Sequence, residues 1–147
     1  MKILKVMQVG DVSEYTKDLT PRYQTSGSSG LDLYAKHRSD IYPGERQLIK
    51  TGVAIELPVG YEGQVRGRSG LSANRGLFCI HGTIDSDYRG EIAVLLYNST
   101  RVTHTIKAGD RIAQLVITPY EKVEVVKAEQ LSSTERGVGG FGSTGER

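Results

Sequence analysis

The sequence predicts an all-β protein, a jelly-roll-like β-barrel or sandwich with one short helix and a flexible glycine-rich C-terminal tail. Three observations carry that expectation. Short runs with alternating or continuous apolar character recur along the chain. Gly, Pro, Asn and Asp separate those runs at short, fairly even intervals, as in sandwiches and barrels. Start and stop signals for a helix of any length coincide only once, around Ser69 to Gly76.

Taken in order, Ile3 to Val9 alternates apolar and polar side chains and reads as a first strand. Asp18 to Pro21 offers a weak turn signal. A Ser/Gly turn from Ser26 to Gly30 leads into a strand from Leu31 to Ala35. Ile41 and the run Gln47 to Lys50 flank the turn Pro43-Gly44. Val53 to Leu57 ends at a Pro58–Gly60 turn, and Tyr61 to Arg66 follows. Ser69 to Arg75 has a serine suited to an N-cap and Gly76 in the C′ position, so a short helix is expected there. Leu77 to Ile80, Glu91 to Asn98, Val102 to Ile106, Arg111 to Thr118 and Val123 to Lys127 complete the strands. No internal repeat is visible.

From Glu135 the composition changes, and five of the nine residues from Gly137 to Gly145 are glycine. Such a segment has little side chain to bury and loses much entropy on ordering. The expected organisation is a β domain over residues 1–134 and a flexible arm over 135–147. Most glycine-rich termini are simply disordered. This one also carries Arg136, Phe141, Ser143 and Thr144: a cation, a ring and two hydroxyls that suit a nucleotide.

The composition excludes several classes of function. A chain of 147 residues fits one domain. A net charge of +2 without a Lys/Arg block argues against a nucleic-acid surface. No run approaches the roughly 20 apolar residues of a membrane helix. The N-terminus lacks a secretory pattern, so a cytoplasmic protein is expected, with the nucleus open for a eukaryotic or viral source. Cys79 is the one cysteine, which rules out an intramolecular disulfide. In its apolar run it reads as buried filler.

Chemistry concentrates in Gly82 to Gly90, Gly-Thr-Ile-Asp-Ser-Asp-Tyr-Arg-Gly. Apolar runs on both sides give it the look of a β-hairpin whose second strand opens with charges. In an extended chain Asp85 and Asp87 share one face, with Ser86 and Tyr88 on the other. The plain alternative is a solvated turn. Arg68-Ser69-Gly70 stands at the start of the expected helix, where free N–H groups and the positive end of the dipole meet anions. Arg66 would share a face with Arg68. Gln114 lies on an alternating strand after the turn at Gly109-Asp110, and is either a phosphate donor or an ordinary exposed residue. His37, His81 and His104 have no zinc spacing. Gly142-Ser143-Thr144 lacks the lysine of a Walker motif, and no Gly-x-Ser-x-Gly elbow or Ser/His/Asp set occurs. The carboxylates present suit a hard ion such as Mg²⁺, which keeps several waters and leans on substrate phosphates.

Each cluster is weak alone, but their order is specific. Ser29 to Ala35, Gly67 to Leu71, Gly82 to Gly90, Gly109 to Leu115 and Arg136 to Gly145 resemble, in sequence, the five motifs of the trimeric dUTPases. The resemblance implies hydrolysis of dUTP to dUMP and pyrophosphate by water attack on the α-phosphorus, with Mg²⁺ as cofactor. That reaction limits uracil in DNA and supplies dUMP. The resemblance assigns Asp85 to activating the water, a role a carboxylate can fill because it accepts hydrogen bonds and then the proton. It assigns Asp32 to holding Mg²⁺ through water. It gives the phosphates to Arg68, Ser69, Gly70 and Gln114, and the γ-phosphate to Arg136, Ser143 and Thr144. Phe141 and Gly142 would cover the uracil, and Tyr88 would pack on the deoxyribose and exclude a 2′-hydroxyl. The main chain from Cys79 through Gly82, Thr83 and Ile84 would read the base. The implied assembly is a homotrimer with sites shared between subunits, binding neither nucleic acid nor membrane.

Two positions depart from the family pattern. Cys79 stands where many members carry Asn, and His81 where a smaller or apolar residue is commoner. Two competing readings go with the resemblance. One is a dCTP deaminase-like enzyme of the same fold, which would release ammonia from dCTP. The other is a nucleotide-binding or interaction module without turnover.

Overall fold

The computed structural model describes residues 2–11, 18–141 and 143. Eleven strands and one helix follow one another along the described chain: β1 (Lys5–Gln8), β2 (Gly30–Tyr34), β3 (Ser39–Ile41), β4 (Arg46–Lys50), β5 (Val53–Glu56), β6 (Tyr61–Arg66), α1 (Ser69–Arg75), β7 (Leu77–Ile80), β8 (Gly82–Ile84), β9 (Ala93–Asn98), β10 (His104–Ile106) and β11 (Arg111–Pro119). A four-stranded sheet has the order β2-β11-β6-β8, and a three-stranded sheet the order β4-β9-β7. Two ribbons, β1-β5 and β10-β3, complete the β structure. Every one of these pairings is antiparallel. This is the all-β, jelly-roll architecture the sequence predicts.

Alternation within the strands builds the core. In β9, Val94, Leu96 and Asn98 are buried while Ala93, Leu95 and Tyr97 face outward. Ile49 and Leu77 bring neighbouring strands to the same interior. Leu31, Leu33, Val65, Ile84 and Leu115 meet them from the larger sheet, forming one apolar cluster. No described helix is long and apolar enough to cross a membrane.

The helix differs from expectation at its start. Arg68, in extended conformation (φ −103°, ψ 130°), is the N-cap and makes no side-chain cap bond, so Ser69 is the first helical residue. The end is as read from sequence: Gly76 is left-handed at φ 60° and its N–H returns to the last turn.

Val123 to Lys127 is not a strand. Val123, Val125 and Val126 are exposed, and the last backbone hydrogen bond to the barrel among the described residues is from the Tyr120 N–H to the Gly60 carbonyl, 3.0 Å. The alternation is real, but beyond Tyr120 the described chain makes no backbone hydrogen bond to any strand. A period of two without a pairing partner leaves these valines in water.

Asn98 is the most completely used polar side chain in the core. It is fully buried. Its Nδ2 donates to the Ile41 carbonyl at 2.9 Å and the Val102 carbonyl at 2.8 Å. Its Oδ1 accepts from the Thr100 N–H at 2.9 Å and the Thr100 hydroxyl at 2.8 Å. Truncation strands several partners at once. Asn98→Ala is therefore expected to lower unfolding free energy by about 2–4 kcal/mol in urea titrations; a loss below about 0.5 kcal/mol would show that the network does not hold the β9–β10 corner.

Candidate active site

The stretch from Cys79 to Ile92 owes its shape to a change of sheet. Ile80 pairs with Leu95 in the three-stranded sheet, whereas Gly82, two residues later, pairs with Val65 in the four-stranded one. β7 and β8 each end a strand order, so each has one edge without a strand partner. The cleft beside this crossing is about 320 Å³ in volume and includes His81, Gly82, Thr83, Ile84, Asp85 and Tyr88 in its lining. A bare strand edge offers N–H and C=O groups in fixed alternation, the kind of surface that can read a planar base.

After Ile84 the chain turns, so the stretch does not continue as a second hairpin strand. The Tyr88 N–H bonds the Asp85 carbonyl at 3.1 Å, and Arg89 Nη1 donates to the Ser86 carbonyl at 2.8 Å and the Tyr88 carbonyl at 3.0 Å. The turn cancels the alternation expected of Asp85 and Asp87. Asp85 lines the strand-edge cleft and also a second hollow, shared with Glu62, Ser86, Asp87 and Tyr120. Asp87 lines the second hollow and not the strand-edge cleft. The Tyr88 hydroxyl donates to the Glu91 carbonyl at 3.2 Å, and its ring lies against Gly90.

A separate, more polar cleft of about 560 Å³ gathers Asp32, Arg68, Ser69, Gly70 and Gln114. Asp32 is buried on β2 between two guanidinium groups, with Arg68 Nε 3.3 Å from Oδ1 and Arg111 Nη1 3.4 Å from Oδ2. Arg68 also donates to the Arg111 carbonyl at 3.2 Å. The N–H groups of Ser69 and Gly70 precede the first helical hydrogen bonds, in which the Leu71 and Ser72 N–H groups return to the Arg68 carbonyl. Gln114 Nε2 donates to the Gly67 carbonyl at 2.9 Å. Two arginines, a serine and free N–H groups form a receptacle for a polyanion.

The two clefts have no lining residue in common. Arg136, Phe141 and Ser143 line neither. Arg136 Nε instead donates to the Gly139 carbonyl at 2.8 Å, and Phe141 is fully exposed at φ 49°. Gly142 and Thr144 lie outside the described residues. Cys79 points toward the core, packs near Gly67 and donates to the Ile80 carbonyl at 3.4 Å. It is not part of the strand-edge lining.

Sequence reasoning gave no role to Arg111, which stands inside the Gly109–Leu115 motif. It also missed Thr25 and Ser28, whose hydroxyls are 2.9 Å apart at the rim of the polar cleft. Their only sequence signal was a Ser/Gly turn.

No group of three or more His, Cys, Asp or Glu side chains that could hold a metal ion occurs among the described residues. Asp32 is the one acid lining the polar cleft, and it already carries two cations. This donor set fits a hydrated Mg²⁺ that arrives on a polyphosphate, and not a directly coordinated resident ion.

A jelly-roll chain with a base-sized cleft on a strand edge and an arginine-lined polar cleft defines a β-class nucleotide-handling protein. Comparison with known proteins makes the assignment particular. The dUTPase family model matches residues 16–145. A deoxyuridine 5'-triphosphate nucleotidohydrolase of Anaplasma marginale (strain St. Maries) is 52% identical, covering 97% of this chain and 99% of the relative. Its counterpart in Anaeromyxobacter sp. (strain Fw109-5) is 50% identical over 99% of this chain and 97% of its own. The solved structure of a Staphylococcus bacteriophage 80alpha dUTPase variant with dUpNHpp superposes at a TM-score of 0.88 with 28% identity, covering 99% of both chains. The chain belongs to the dUTPase family.

Burial pushes the Cys79 thiol up to about 11, above its ordinary value of 9.0. The thiolate fraction at pH 8 is then about a hundredfold below that of a free thiol. Iodoacetamide should label the native protein correspondingly slowly, with the rate climbing as pH rises toward 11; labelling at the rate of a free cysteine would place Cys79 in solvent.

Proposed function

We propose that this chain hydrolyses dUTP to dUMP and pyrophosphate, limiting uracil in DNA and supplying dUMP. The observation that carries the reading is the family match from residue 16 to 145, with all five motifs in order. Names of relatives at 50–52% identity supply the reaction.

The roles follow from the chemistry of each cleft. The free edge of β8, from Gly82 to Ile84, reads uracil through main-chain donors and acceptors, in a slot that leaves no room for a thymine methyl. Cys79 supports this edge from behind. Tyr88 packs on the deoxyribose and excludes a 2′-hydroxyl. Asp85, at the end of β8, orients a water and accepts its proton as the oxygen attacks the α-phosphorus. Arg68, Ser69, Gly70 and Gln114 receive the phosphates and meet the negative charge that develops on them. Asp32 holds the two arginines in place and would also hold water of a Mg²⁺ carried by the triphosphate. Bound there, the ion supplies charge neutralisation on the phosphate oxygens.

The separation of the clefts favours a site completed between copies of the chain, and we infer a homotrimer. An apolar face suits such an assembly. Leu48, Leu95 and Ile80 form one cross-strand row on the outer side of β4-β9-β7, and Tyr97 and Phe78 lie in another. Leu48 is 63% exposed, and Ile80 and Phe78 about half exposed. Water contact over such a face is costly, and a second copy would relieve it. The unpartnered valines of 123–126 fit the same need. The arm from 135 to 147 then closes over a site, with Arg136, Ser143 and Thr144 on the γ-phosphate and Phe141 and Gly142 over the base.

Asp85→Asn should lower kcat for pyrophosphate release by about 10²–10⁴-fold. Affinity for a non-hydrolysable dUTP analogue should stay within about threefold. Near-normal turnover would remove Asp85 from this role. Deleting residues 136–147 should leave a trimer in sedimentation equilibrium and reduce kcat/KM by about tenfold or more. Full activity in that variant would sink the arm, and a monomeric mass the assembly.

A further inference from the structure

Behind the Asp85–Gly90 turn lies a buried ion pair that the roles above do not use. Lys36 follows β2 and Glu91 follows the turn. Their side chains are only 9% and 13% exposed, and Lys36 Nζ stands 3.7 Å from Glu91 Oε1. The same Lys36 Nζ donates to the Val9 carbonyl at 2.6 Å. The same Glu91 oxygen accepts from the Gly52 N–H at 2.9 Å. Gly52 is left-handed at φ 73°, and a Cβ there would meet Leu19 at 2.6 Å and the Lys36 stem at 3.3 Å. Lys50 also approaches Glu91, at 3.6 Å from Oε2, but it is largely in water and adds little.

These contacts fix the exit of the turn. Glu91 is held by Lys36 and Gly52 through its side chain. Its neighbour Ile92 is held through its carbonyl, which accepts the Thr51 hydroxyl at 2.7 Å and the Thr51 N–H at 3.0 Å. The Glu91 main-chain carbonyl is the acceptor for the Tyr88 hydroxyl at 3.2 Å. Moving Glu91 therefore moves the atom that orients the Tyr88 ring.

A buried ion pair is a poor source of stability, because desolvation offsets most of the attraction. It is a good source of geometry, because neither charge can leave without stranding the other. We propose that Lys36 and Glu91 are positioning residues for sugar selection: the pair locks the carbonyl that holds Tyr88 against the face where a 2′-hydroxyl would fall. The inference rests on the reading of Tyr88 as the residue that meets the deoxyribose.

The test is the ratio of kcat/KM for dUTP to that for UTP, measured in Glu91→Gln, Lys36→Met and Tyr88→Ala. Glu91→Gln keeps shape and an acceptor for Gly52, and Lys36→Met keeps the packed stem. Each is expected to lower the ratio about tenfold through a fall for dUTP with UTP turnover unchanged or raised, since a shift of about an ångström at a positioned group costs up to about 10²-fold. Equal falls for both nucleotides, or a lower melting temperature with an unchanged ratio, would overturn the proposal by making the pair merely structural. If either variant fails to fold, Glu91→Asp, which keeps the charge but retracts it by one methylene, decides on the same ratio. Tyr88→Ala separates the two readings. If it leaves the ratio intact, the sugar role of Tyr88 fails; if it lowers the ratio while the Lys36 and Glu91 variants do not, only the positioning pair fails.

Discussion

The crossing from β7 to β8 is the constraint on which the rest depends. Within two residues the chain gives up hydrogen bonds to β9 and takes up hydrogen bonds to β6. Leu77 on one side of the crossing and Ile84 on the other are both buried in the same cluster. A slip of one residue in either strand would expose one of them, so the register is pinned at both ends. The crossing leaves β7 and β8 each with one edge that has no strand partner. Exposed edges are normally a liability that proteins cover or charge. Here the edge lies in a cleft that ends at Asp85, where unpaired main-chain groups can serve recognition.

Buried polar groups then hold the surroundings rigid. Asp32, Lys36, Thr51 and Asn98 are the buried polar residues of the described chain, and each has partners. Asp32 ties β2 to Arg68 before α1 and to Arg111 on β11. Lys36 ties the end of β1 to the exit of the Asp85–Gly90 turn. Thr51 ties the β4–β5 turn to the start of β9. The charged pairs add little to stability, because desolvation offsets most of their attraction, whereas Thr51 and Asn98 satisfy main-chain groups that an apolar side chain would leave unpaired. Their common property is that they join segments distant in sequence near one of the two clefts, or at a corner that sets β9.

Most of the strands were legible because alternation and turn residues are local. Tyr61–Arg66 and Leu77–Ile80 coincide with their expected bounds, and Gly76 takes the left-handed conformation read for it. The errors share a cause. Val123 to Lys127 has the right period, but a period cannot say whether a neighbouring edge is free. Asp85 and Asp87 were placed on one face by alternation, but the hydrogen bond from Tyr88 to Asp85 turns the chain there. Ser69 has cap chemistry, but Arg68 takes the cap geometry while its side chain lies on Asp32. The clusters around Asp85 and Arg68 were visible as motifs because their residues are contiguous. Arg111, Lys36 and Glu91 were not, because their partners lie 79, 27 and 55 positions away or are main-chain atoms.

The glycines of the motifs follow from the same geometry. Gly30 and Gly90 do not have positive φ, so backbone freedom is not what they supply. A Cβ on Gly30 would lie 2.5 Å from Gln114 Oε1, and one on Gly90 would lie 2.3 Å from the Tyr88 hydroxyl. Each glycine leaves the space that a neighbouring side chain occupies. Gln114 can reach the Gly67 carbonyl only by passing over Gly30, and Tyr88 can reach the Glu91 carbonyl only by lying across Gly90. A motif of this kind therefore records contacts between segments. Gly30 belongs with Gln114 although they sit in different motifs, while Gly90 is paired with a side chain two residues before it. Read this way, the glycines mark the two side chains, one in each cleft, whose placement tolerates no added atom.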